Sequence, residues 1–264
     1  MPLQALSSWP ALSRQRLIGI FTDIDDTLTT QGAITPDASQ ALADLHAAGL
    51  AVVPITGRPI GWSLPFADRW QVDAIVAENG AAALQALHGQ VHKLYQQDAA
   101  TRAENVKRMR AVLAHIAHTM PEAHVSADSG GRETDIAIDH SEHHTLSEAQ
   151  ISQVVHLMQS AGMHATVSSI HINGWFGDHH KLSGARWIVR RLWGRDLDQE
   201  IDRWVYVGDS TNDQLMFQHF PHSVGVANIA RFLPQLTHLP RYITTQARGA
   251  GFAEVARAIL HARH

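Results

Sequence analysis

Short, uninterrupted apolar runs recur along this chain, and polar side chains follow each of them. The first run, LIGIF, begins a predicted strand over about residues 17–25; AVVPIT at 51–56 is a second run, and DAIVAENG at 73–80 contains a third short strand that ends in a turn. Thr35 and Gly49 delimit a helix between the first two runs, with apolar residues at helical spacing. Apolar runs of strand length that alternate with helices are typical of a parallel sheet buried on both faces. We therefore expect an α/β fold.

The same alternation returns towards the carboxyl end. A helix is predicted over 181–193, and the apolar run WVYVG at 204–208 is a predicted strand. Two further strands are predicted at 223–228 and 241–245, and a last helix at about 251–262. These elements extend the predicted parallel sheet.

The residues between these two parts follow a different pattern. The apolar spacing over 106–120 predicts a helix that Pro121 ends. Two strands are then predicted, at 124–128 and 133–139, around a Gly-Gly turn.

A second unit of the same kind follows. Thr145 and Glu148 have the spacing of a capping box, which predicts a helix to about Ser160, and HATVSS and IHINGWF at 164–176 predict two more strands. A helix–strand–strand pattern that occurs twice favours a small α+β domain inserted into the α/β one. The predicted division is 1–84 and 179–264 for the core domain and 85–178 for the inserted cap domain.

The composition agrees with a folded protein of this size. The 264 residues are 45% apolar and 17% charged, and a single core stops growing at about 250 residues. A net charge of −4 gives no electrostatic reason to expect a nucleic-acid or membrane partner. The chain has no cysteine, no basic segment ahead of an apolar leader, and no apolar run of membrane-spanning length. We expect a cytoplasmic protein, and the oligomeric state is left open.

Carboxylates cluster where predicted strands end. Asp23 and Asp25 follow the first strand, and Asp209 and Asp213 follow WVYVG. A single aspartate at such a place is most often a turn or cap residue. Several of them at one edge of a sheet repel one another unless a cation compensates. Oxygen ligands with positions left for water suit Mg²⁺, so a magnesium site is predicted here.

Four motifs in a fixed order resemble the haloacid dehalogenase superfamily of phosphotransferases. They are DxDxT at 23–27, ITGR at 55–58, Lys181, and GDxxND at 208–213. AENGA at 77–81, ahead of the insert, resembles the capped Cof-type branch (type IIB), which includes sucrose-phosphate, trehalose-phosphate and mannosyl-phosphoglycerate phosphatases. The resemblance implies a Rossmann-like parallel-sheet core with an α+β cap. It is weak over the cap, and the family commonly has glycine where this chain has Asp26.

The resemblance implies roles for the core residues. Asp23 is the expected nucleophile, which forms an aspartyl phosphate, and Asp25 is the expected acid and base. Thr56 and Lys181 are expected to hold the transferring phosphoryl group. The expected Mg²⁺ ligands are Asp23, the backbone carbonyl of Asp25, and Asp209.

A further set of core residues is expected to support these groups or to bind phosphate. The set is Asn212, Asp213, Ser210, Thr27, Arg58 and Asn79. Asp213 is expected to orient Lys181 or a metal-bound water. Arg58 either reaches the substrate or pairs with a surface acid, and Asp26 is expected to be structural rather than catalytic.

Specificity is expected to reside in the cap. The candidates are Arg132, Glu133, His171, Asn173 and Trp175, because polar groups beside an aromatic ring suit a sugar. The alternative is that Trp175 is cap core and that Arg132 and Glu133 form a surface pair. The histidine run HSEHH at 140–144 lies in a predicted loop with spacing wrong for a helical ligand pair, and we expect no zinc site.

The predicted function is Mg²⁺-dependent hydrolysis of a small phosphorylated metabolite, a sugar or glycosyl phosphate, through an aspartyl phosphate. A sugar phosphomutase of the same fold is the first alternative, and it would need cationic groups in the cap for a second phosphate. A non-catalytic phosphometabolite binder is the second alternative, which the intact set of motif residues disfavours.

Overall fold

The computed structural model describes residues 3–263. Its strands are β1 (Gln4–Ala5), β2 (Gly19–Thr22), β3 (Thr29–Thr30), β4 (Ala33–Ile34), β5 (Ala51–Pro54), β6 (Ile75–Ala77), β7 (Ala82–Leu87), β8 (Gln90–Tyr95), β9 (Ile136–Asp139), β10 (His164–Val167), β11 (His171–Trp175), β12 (Trp204–Gly208), β13 (His222–Gly225) and β14 (Tyr242–Ile243). Its α-helices are α1 (Ala11–Gln15), α2 (Pro36–Ala47), α3 (Ile60–Ala67), α4 (Ala99–Thr119), α5 (Glu148–Ser160), α6 (Lys181–Trp193), α7 (Leu197–Glu200), α8 (Gln214–His219) and α9 (Arg248–Arg263).

The central sheet has six parallel strands in the order β1-β14-β13-β12-β2-β5. Its side chains alternate between two apolar cores, as a pleated strand requires. In β12, Val205 and Val207 face the core shared with α2 and α9, whereas Trp204 and Tyr206 face the core shared with α6 and α8. Helices thus cover both faces, which confirms the predicted Rossmann-like α/β fold.

The third predicted strand joins this sheet only loosely. Strand β6 meets the end of β5 through one parallel bridge, Ile55 to Val76, and then pairs antiparallel with β7. Strands β7 and β8 extend it as a hairpin. The hairpin takes the core-side sheet to Tyr95, beyond the predicted boundary at residue 85, and the domain division itself stays a prediction.

The inserted segment is a second α+β layer. Its sheet has the order β10-β11-β9, all antiparallel, and α4 and α5 pack on it. Met109 and Ile116 from α4 meet Val154 and Met158 from α5 over Ile172 of the sheet. The helix–strand–strand pattern is present in full only in the second unit, α5-β10-β11.

In the first unit the strand predicted at 124–128 is wrong. Only Val125 makes a bridge, to Ile138. The Ser126 hydroxyl donates instead to the Asp128 carboxylate at 2.7 Å, and the backbone turns into a short 3-10 helix at Ser129–Gly131. Short polar side chains that bond locally compete in this way with strand pairing.

Two other local predictions need correction. The strand predicted at 133–139 begins only at Ile136, because the backbone N–H groups of Glu133 and Thr134 bind the carboxylate of Glu78. The capping box of α5 is formed by Ser147 and Gln150 instead of Thr145 and Glu148. The N-cap is therefore two residues later than predicted, with the same kind of capping hydrogen bonds.

Within residues 3–263, none of the helices combines the length and the apolar character that a bilayer crossing requires.

Candidate active site

The carboxyl ends of the parallel strands bring the motif residues together. Asp23 follows β2, Thr56 follows β5, and Asp209 follows β12, while Lys181 is the first residue of α6. The Lys181 ammonium group donates to Asp23 Oδ1 at 2.5 Å and to Asp213 Oδ1 at 2.7 Å. Residues that lie about 160 positions apart in the chain thus meet at one edge of the sheet.

Asp213 lies deeper and is fully engaged. Its Oδ1 also accepts from the Tyr206 hydroxyl, and its Oδ2 accepts from the backbone N–H groups of Asp209 and Ser210 at 2.9 and 3.1 Å. The structure therefore places Asp213 as a group that positions Lys181 and the β12 loop.

The electrostatics of the cluster are unfavourable without a cation. Burial, together with the charges of Asp213 and Asp25, raises the pKa of Asp23 to about 7 despite the nearby Lys181. Burial and the charges of Asp23 and Asp213 hold the pKa of Asp209 well above its ordinary value. Burial alone would lower the pKa of Lys181, but Asp213 and Asp23 raise it above its usual range. Lys181 and Arg231, whose NH2 group lies 3.6 Å from Asp209, thus leave a surplus of negative charge on the three aspartates.

The donor set fits a hard divalent cation. Carboxylate oxygens of Asp23, Asp209 and Asp213 lie within 4.8 Å of one another. The hydrogen bonds of Asp209 come from Asn228 at 2.8 Å and, at a long 3.5 Å, from Thr27, so this carboxylate keeps room for a further partner. All-oxygen donors with surplus negative charge are the chemistry that Mg²⁺ requires.

Asp25 lies beside Asp23, although strand pairing does not bring the two side chains together. Strand β2 ends at Thr22, so strict strand alternation does not apply at residues 23–25. Asp25 is brought in by the following turn and is held by Arg58, whose Nε donates to its two carboxylate oxygens at 3.1 and 3.0 Å. Both aspartates line one small cavity.

Arg58 connects the core to the insert. Its side chain is only 6% exposed, and its NH1 and NH2 groups donate to Asp128 and Glu142 at 3.0 and 2.8 Å. The acids that it binds are buried or half-buried, so the predicted surface pair is wrong. Three carboxylates, one from the core and two from the insert, surround this guanidinium group.

The remaining core candidates are distributed as follows. The Thr56 hydroxyl accepts from the Arg58 backbone N–H at 3.0 Å, which leaves its own proton for a ligand. The Ser210 hydroxyl donates to Asn212 at 2.8 Å, and both residues line the cavity above Asp23. Asn79 is buried, and its amide nitrogen has no partner among residues 3–263.

Gly57 of the TGR motif lies in tight packing. A Cβ atom there would come within 3.2 to 3.3 Å of the side-chain amides of Asn79 and Asn173. Asn173 donates to the carbonyl of Gly57 at 3.4 Å. The insert therefore touches the core backbone at this loop.

Asp26 occupies a left-handed backbone position, with φ of 56°. This explains why glycine is common at the corresponding position of the resembling family, since glycine adopts positive φ without strain. The Asp26 carboxylate is bound by Arg248 and Arg231 at 2.8 and 3.0 Å. These contacts agree with a structural role.

The insert candidates separate into two groups. His171 and Asn173 line the cavity above Asp23, together with Ser168, Ser169 and Ile170. This cavity has a volume of about 10 Å³, about one water molecule. The insert is thus closed over Asp23.

Arg132, Glu133 and Trp175 do not reach the cavity. Arg132 is buried between Asp128 and Asp135, and Glu133 binds Lys93 and Tyr95, so the predicted Arg132–Glu133 surface pair is wrong. Trp175 is 2% exposed and its indole N–H donates to the His179 carbonyl. It is part of the insert's packing, which is the alternative given above.

The sequence reasoning missed several residues of the site. Asn228 follows β13 and binds Asp209, and its place after a buried strand could have revealed it, as for the other strand-end residues. Tyr206 was interpreted only as part of a buried strand. Asp128 and Glu142 carry no sequence signal, because they reach Arg58 from irregular loops.

The loop that carries Glu142 is held by one carboxylate. Asp139, the last residue of β9, accepts the backbone N–H groups of the next turn at 2.8 to 3.1 Å, namely those of Ser141, Glu142, His143 and His144. This buried side chain determines the shape of the loop.

Comparison with known proteins relates this arrangement to one family. Residues 20–117 match the model of the haloacid dehalogenase-like hydrolases. Over these residues the chain is similar to that family. This match confirms the resemblance predicted from the motifs. The matched family consists of hydrolases, which is the class of enzyme predicted from the sequence.

Solved structures share this fold over nearly the whole chain. Protein 0175 of Thermoplasma acidophilum superposes with a TM-score of 0.71 at 15% identity, covering 92% of this chain and 99% of that one. The sucrose-phosphatase of Synechocystis, solved with sucrose and phosphate, gives 0.65 at 14% identity, covering 94% and 98%. The phosphatase BT1666 of Bacteroides thetaiotaomicron gives 0.60 at 15% identity, covering 94% and 96%. No curated protein matches this chain in sequence.

Proposed function

We propose that this protein is a Mg²⁺-dependent phosphomonoesterase that acts on a small phosphorylated metabolite, a sugar or glycosyl phosphate. The observation that carries the proposal is the contact of buried Asp23 with Lys181 beside Asp209, beneath a cavity that Thr56 and Ser210 also line. A nucleophile, a cation for the phosphoryl oxygens and hydroxyl donors meet there at one point. The sucrose-phosphatase of similar fold adds support for a sugar phosphate.

In the proposed reaction, Asp23 attacks phosphorus and the bond from phosphorus to the ester oxygen breaks. Asp25 gives its proton to the departing alcohol, which leaves an acyl phosphate on Asp23. Asp25 then takes a proton from water as the water attacks the same phosphorus, which releases inorganic phosphate and restores the Asp23 carboxylate. Lys181 and Thr56 hold the phosphoryl oxygens in both steps.

Asp23, the Asp25 carbonyl and Asp209 would hold Mg²⁺, and Asp213 lies within reach of the same position. The bound ion would offset the repulsion between the Asp23 carboxylate and the phosphate dianion. Asp213 keeps Lys181 in place.

The two alternatives receive less support. A phosphomutase would need cations of the insert available to a second phosphate, but Arg132 is bound by Asp128 and Asp135. A non-catalytic binder would not need the Asp23–Lys181 contact that the structure contains.

The test is phosphate release from a panel of sugar phosphates and other small phosphomonoesters, with Mg²⁺ and with EDTA. We expect Mg²⁺-dependent release that is strongest on one sugar phosphate. The Asp25→Asn variant should accumulate the phosphorylated enzyme, seen in acid-quenched samples as the mass of one added phosphoryl group. Asp44→Asn on the exposed side of α2 serves as the matched control and should not accumulate it. Failure to release phosphate from any compound, with no added mass, would favour the binder.

A further inference from the structure

A second, larger cavity adjoins the space above Asp23. It has a volume of about 340 Å³ and shares Asp25, Arg58 and Ile170 with the smaller one. Its core wall is completed by Asp26, Gln31 and Gly32, and its insert wall by the loop Ser141–Glu142–His143. A ligand pocket of this volume is at the small end of the usual range.

The position of this groove suits the leaving group. Asp25, the proposed acid and base, lies in both cavities, so an ester oxygen beside Asp25 would have phosphorus on the Asp23 side. The carbon skeleton of the alcohol would then extend into the groove. The groove is the larger space that opens from Asp25, since the cavity above Asp23 has room for about one water.

The charges that line the groove are mostly negative. Asp25, Asp26 and Glu142 contribute three carboxylates, and Arg58 is the single arginine or lysine among the lining residues. Arg58 already binds Asp25, Asp128 and Glu142. Bonds to His171 and Arg58 lower the pKa of Glu142 to about 2, so this wall keeps its negative charge at neutral pH.

The nearby cations outside the lining are also engaged. Arg231 and Arg248 bind Asp26, and Arg132 binds Asp128 and Asp135. Each of these arginines already pairs with a carboxylate, so a second anionic group on the substrate would meet like charges and could bind an arginine only by sharing or displacing one of these pairs. Desolvation next to like charge is a strong basis for rejection of a ligand.

We propose that the groove binds the leaving group and that this group is an uncharged, hydroxyl-rich alcohol, so that esters with a second phosphate or a carboxylate are rejected. This rests on the proposed phosphatase function and narrows its substrate class. Ser141, Gln31 and the carboxylates of the groove offer hydrogen-bond partners to hydroxyl groups. Glu142 is a specificity-determining residue in this scheme, because it both adds negative charge and occupies Arg58.

The experiment compares esters that differ at one carbon, which is a hydroxymethyl group in one member of each pair and a carboxylate in the other. Glycerol 3-phosphate is paired with 3-phosphoglycerate, and sorbitol 6-phosphate with 6-phosphogluconate. Assays at pH 8 lie well above the ordinary histidine pKa of about 6.5. The readout is kcat/KM and, for any compound that is not turned over, its inhibition constant against p-nitrophenyl phosphate hydrolysis.

In each pair we expect kcat/KM to be about tenfold or more higher for the ester whose alcohol is uncharged, because a carboxylate on the alcohol would contact like charges in a partly closed site. Glu142→Gln should reduce the ratio of the two kcat/KM values about threefold or more, because it removes a negative charge and frees one side of the Arg58 guanidinium group. Glu148→Gln, an exposed change at the start of α5, should leave the preference as it is.

The outcomes separate the two proposals. Equal handling of both members of each pair, or a preference for the acids, overturns the charge selectivity while the phosphatase function stands. A preference that Glu142→Gln does not change overturns the role of Glu142 and of the groove. Absence of hydrolysis of every ester, p-nitrophenyl phosphate included, together with no phosphorylated Asp25→Asn enzyme, overturns the function and this inference with it.

Discussion

At the scale of single residues, Asp23 is the buried carboxylate that we propose as the nucleophile. It is 5% exposed and its carboxylate contacts Lys181. Asp23→Asn keeps the shape of the side chain but removes the carboxylate that would attack phosphorus to form the acyl phosphate. We expect kcat/KM to fall by at least about 1,000-fold, with an unchanged near-UV circular dichroism spectrum. Phosphate release under single-turnover conditions measures the effect, and substantial residual activity would contradict the nucleophile assignment.

Replacement of Asp209 should have opposite effects on the stability of the protein with and without Mg²⁺. The pKa of Asp209 is raised in the folded protein, so its ionised form costs stability at neutral pH when no cation is bound. Asp209→Asn should therefore melt at a higher temperature than the wild type in EDTA. With Mg²⁺ at about 100 times its Kd, the wild type should gain about 2.7 kcal/mol and the variant much less.

Differential scanning calorimetry at pH 7.5, in EDTA and in a Mg²⁺ series, tests this crossover. Asp44→Asn should behave as the wild type in both buffers, since Asp44 is exposed on α2. A wild-type melting temperature that does not respond to Mg²⁺ would contradict the metal site.

At the scale of elements, the segment between β11 and α6 carries a buried, neutral histidine. His179 is 5% exposed and stacks on Trp175, and its ring nitrogens have no partner among residues 3–263. Burial lowers the pKa of His179 to about 4. Because the unfolded chain binds a proton near pH 6.5 and the folded chain does not, stability falls as the pH drops through this interval.

His179→Phe should reduce this pH dependence. Between pH 7 and pH 5 the wild type should lose about 2 kcal/mol of unfolding free energy through this one group, and the variant should not lose that share. Urea unfolding at the two pH values measures the difference. His115→Phe, at an exposed position of α4, is the control, and equal slopes for all three proteins would disprove the account.

Elements with a strong local pattern were predicted well from the sequence. Strand 204–208 and helix 181–193 have their predicted bounds, because an all-apolar run and a helical apolar stripe each determine one structure. Residues 124–128 were predicted wrongly, since Asp128 bonds to Ser126 and to Arg58 and the backbone turns. Contacts between distant segments leave no trace in a local pattern.

The residues of the candidate site likewise differ in whether the sequence could predict their positions. Asp23, Lys181 and Asp213 could be placed together, because strand ends and motif order specify one edge of the sheet. Glu142 could not, because its position depends on the Asp139 turn and on how the insert closes over the core.

At the scale of the whole molecule, Arg58 holds the insert against the core. Arg58→Ala would leave Asp25, Asp128 and Glu142 close together without a cation. We expect the insert to move away from the core, with a larger radius of gyration in small-angle X-ray scattering. The unfolding free energy should fall by about 3 kcal/mol, as for other broken buried ion pairs.

Arg58→Lys retains one charge without the planar fork and should give an intermediate result. Arg110→Ala, at an exposed position of α4, should leave the scattering curve unchanged. An Arg58→Ala variant with the wild-type radius would contradict the idea that this ion pair network keeps the insert closed.

The turn held by Asp139 has a consequence for how such an enzyme can diversify. One carboxylate binds the backbone of residues 141–144, so the turn has an anchor that does not depend on the side-chain bonds of Ser141 to Ser169 and of Glu142 to Arg58. Substitutions at these three positions can therefore alter one wall of the groove while the chemistry at the strand ends is inherited intact. Saturation mutagenesis there, with Asp139 kept, is the shortest route to variants that accept a different alcohol.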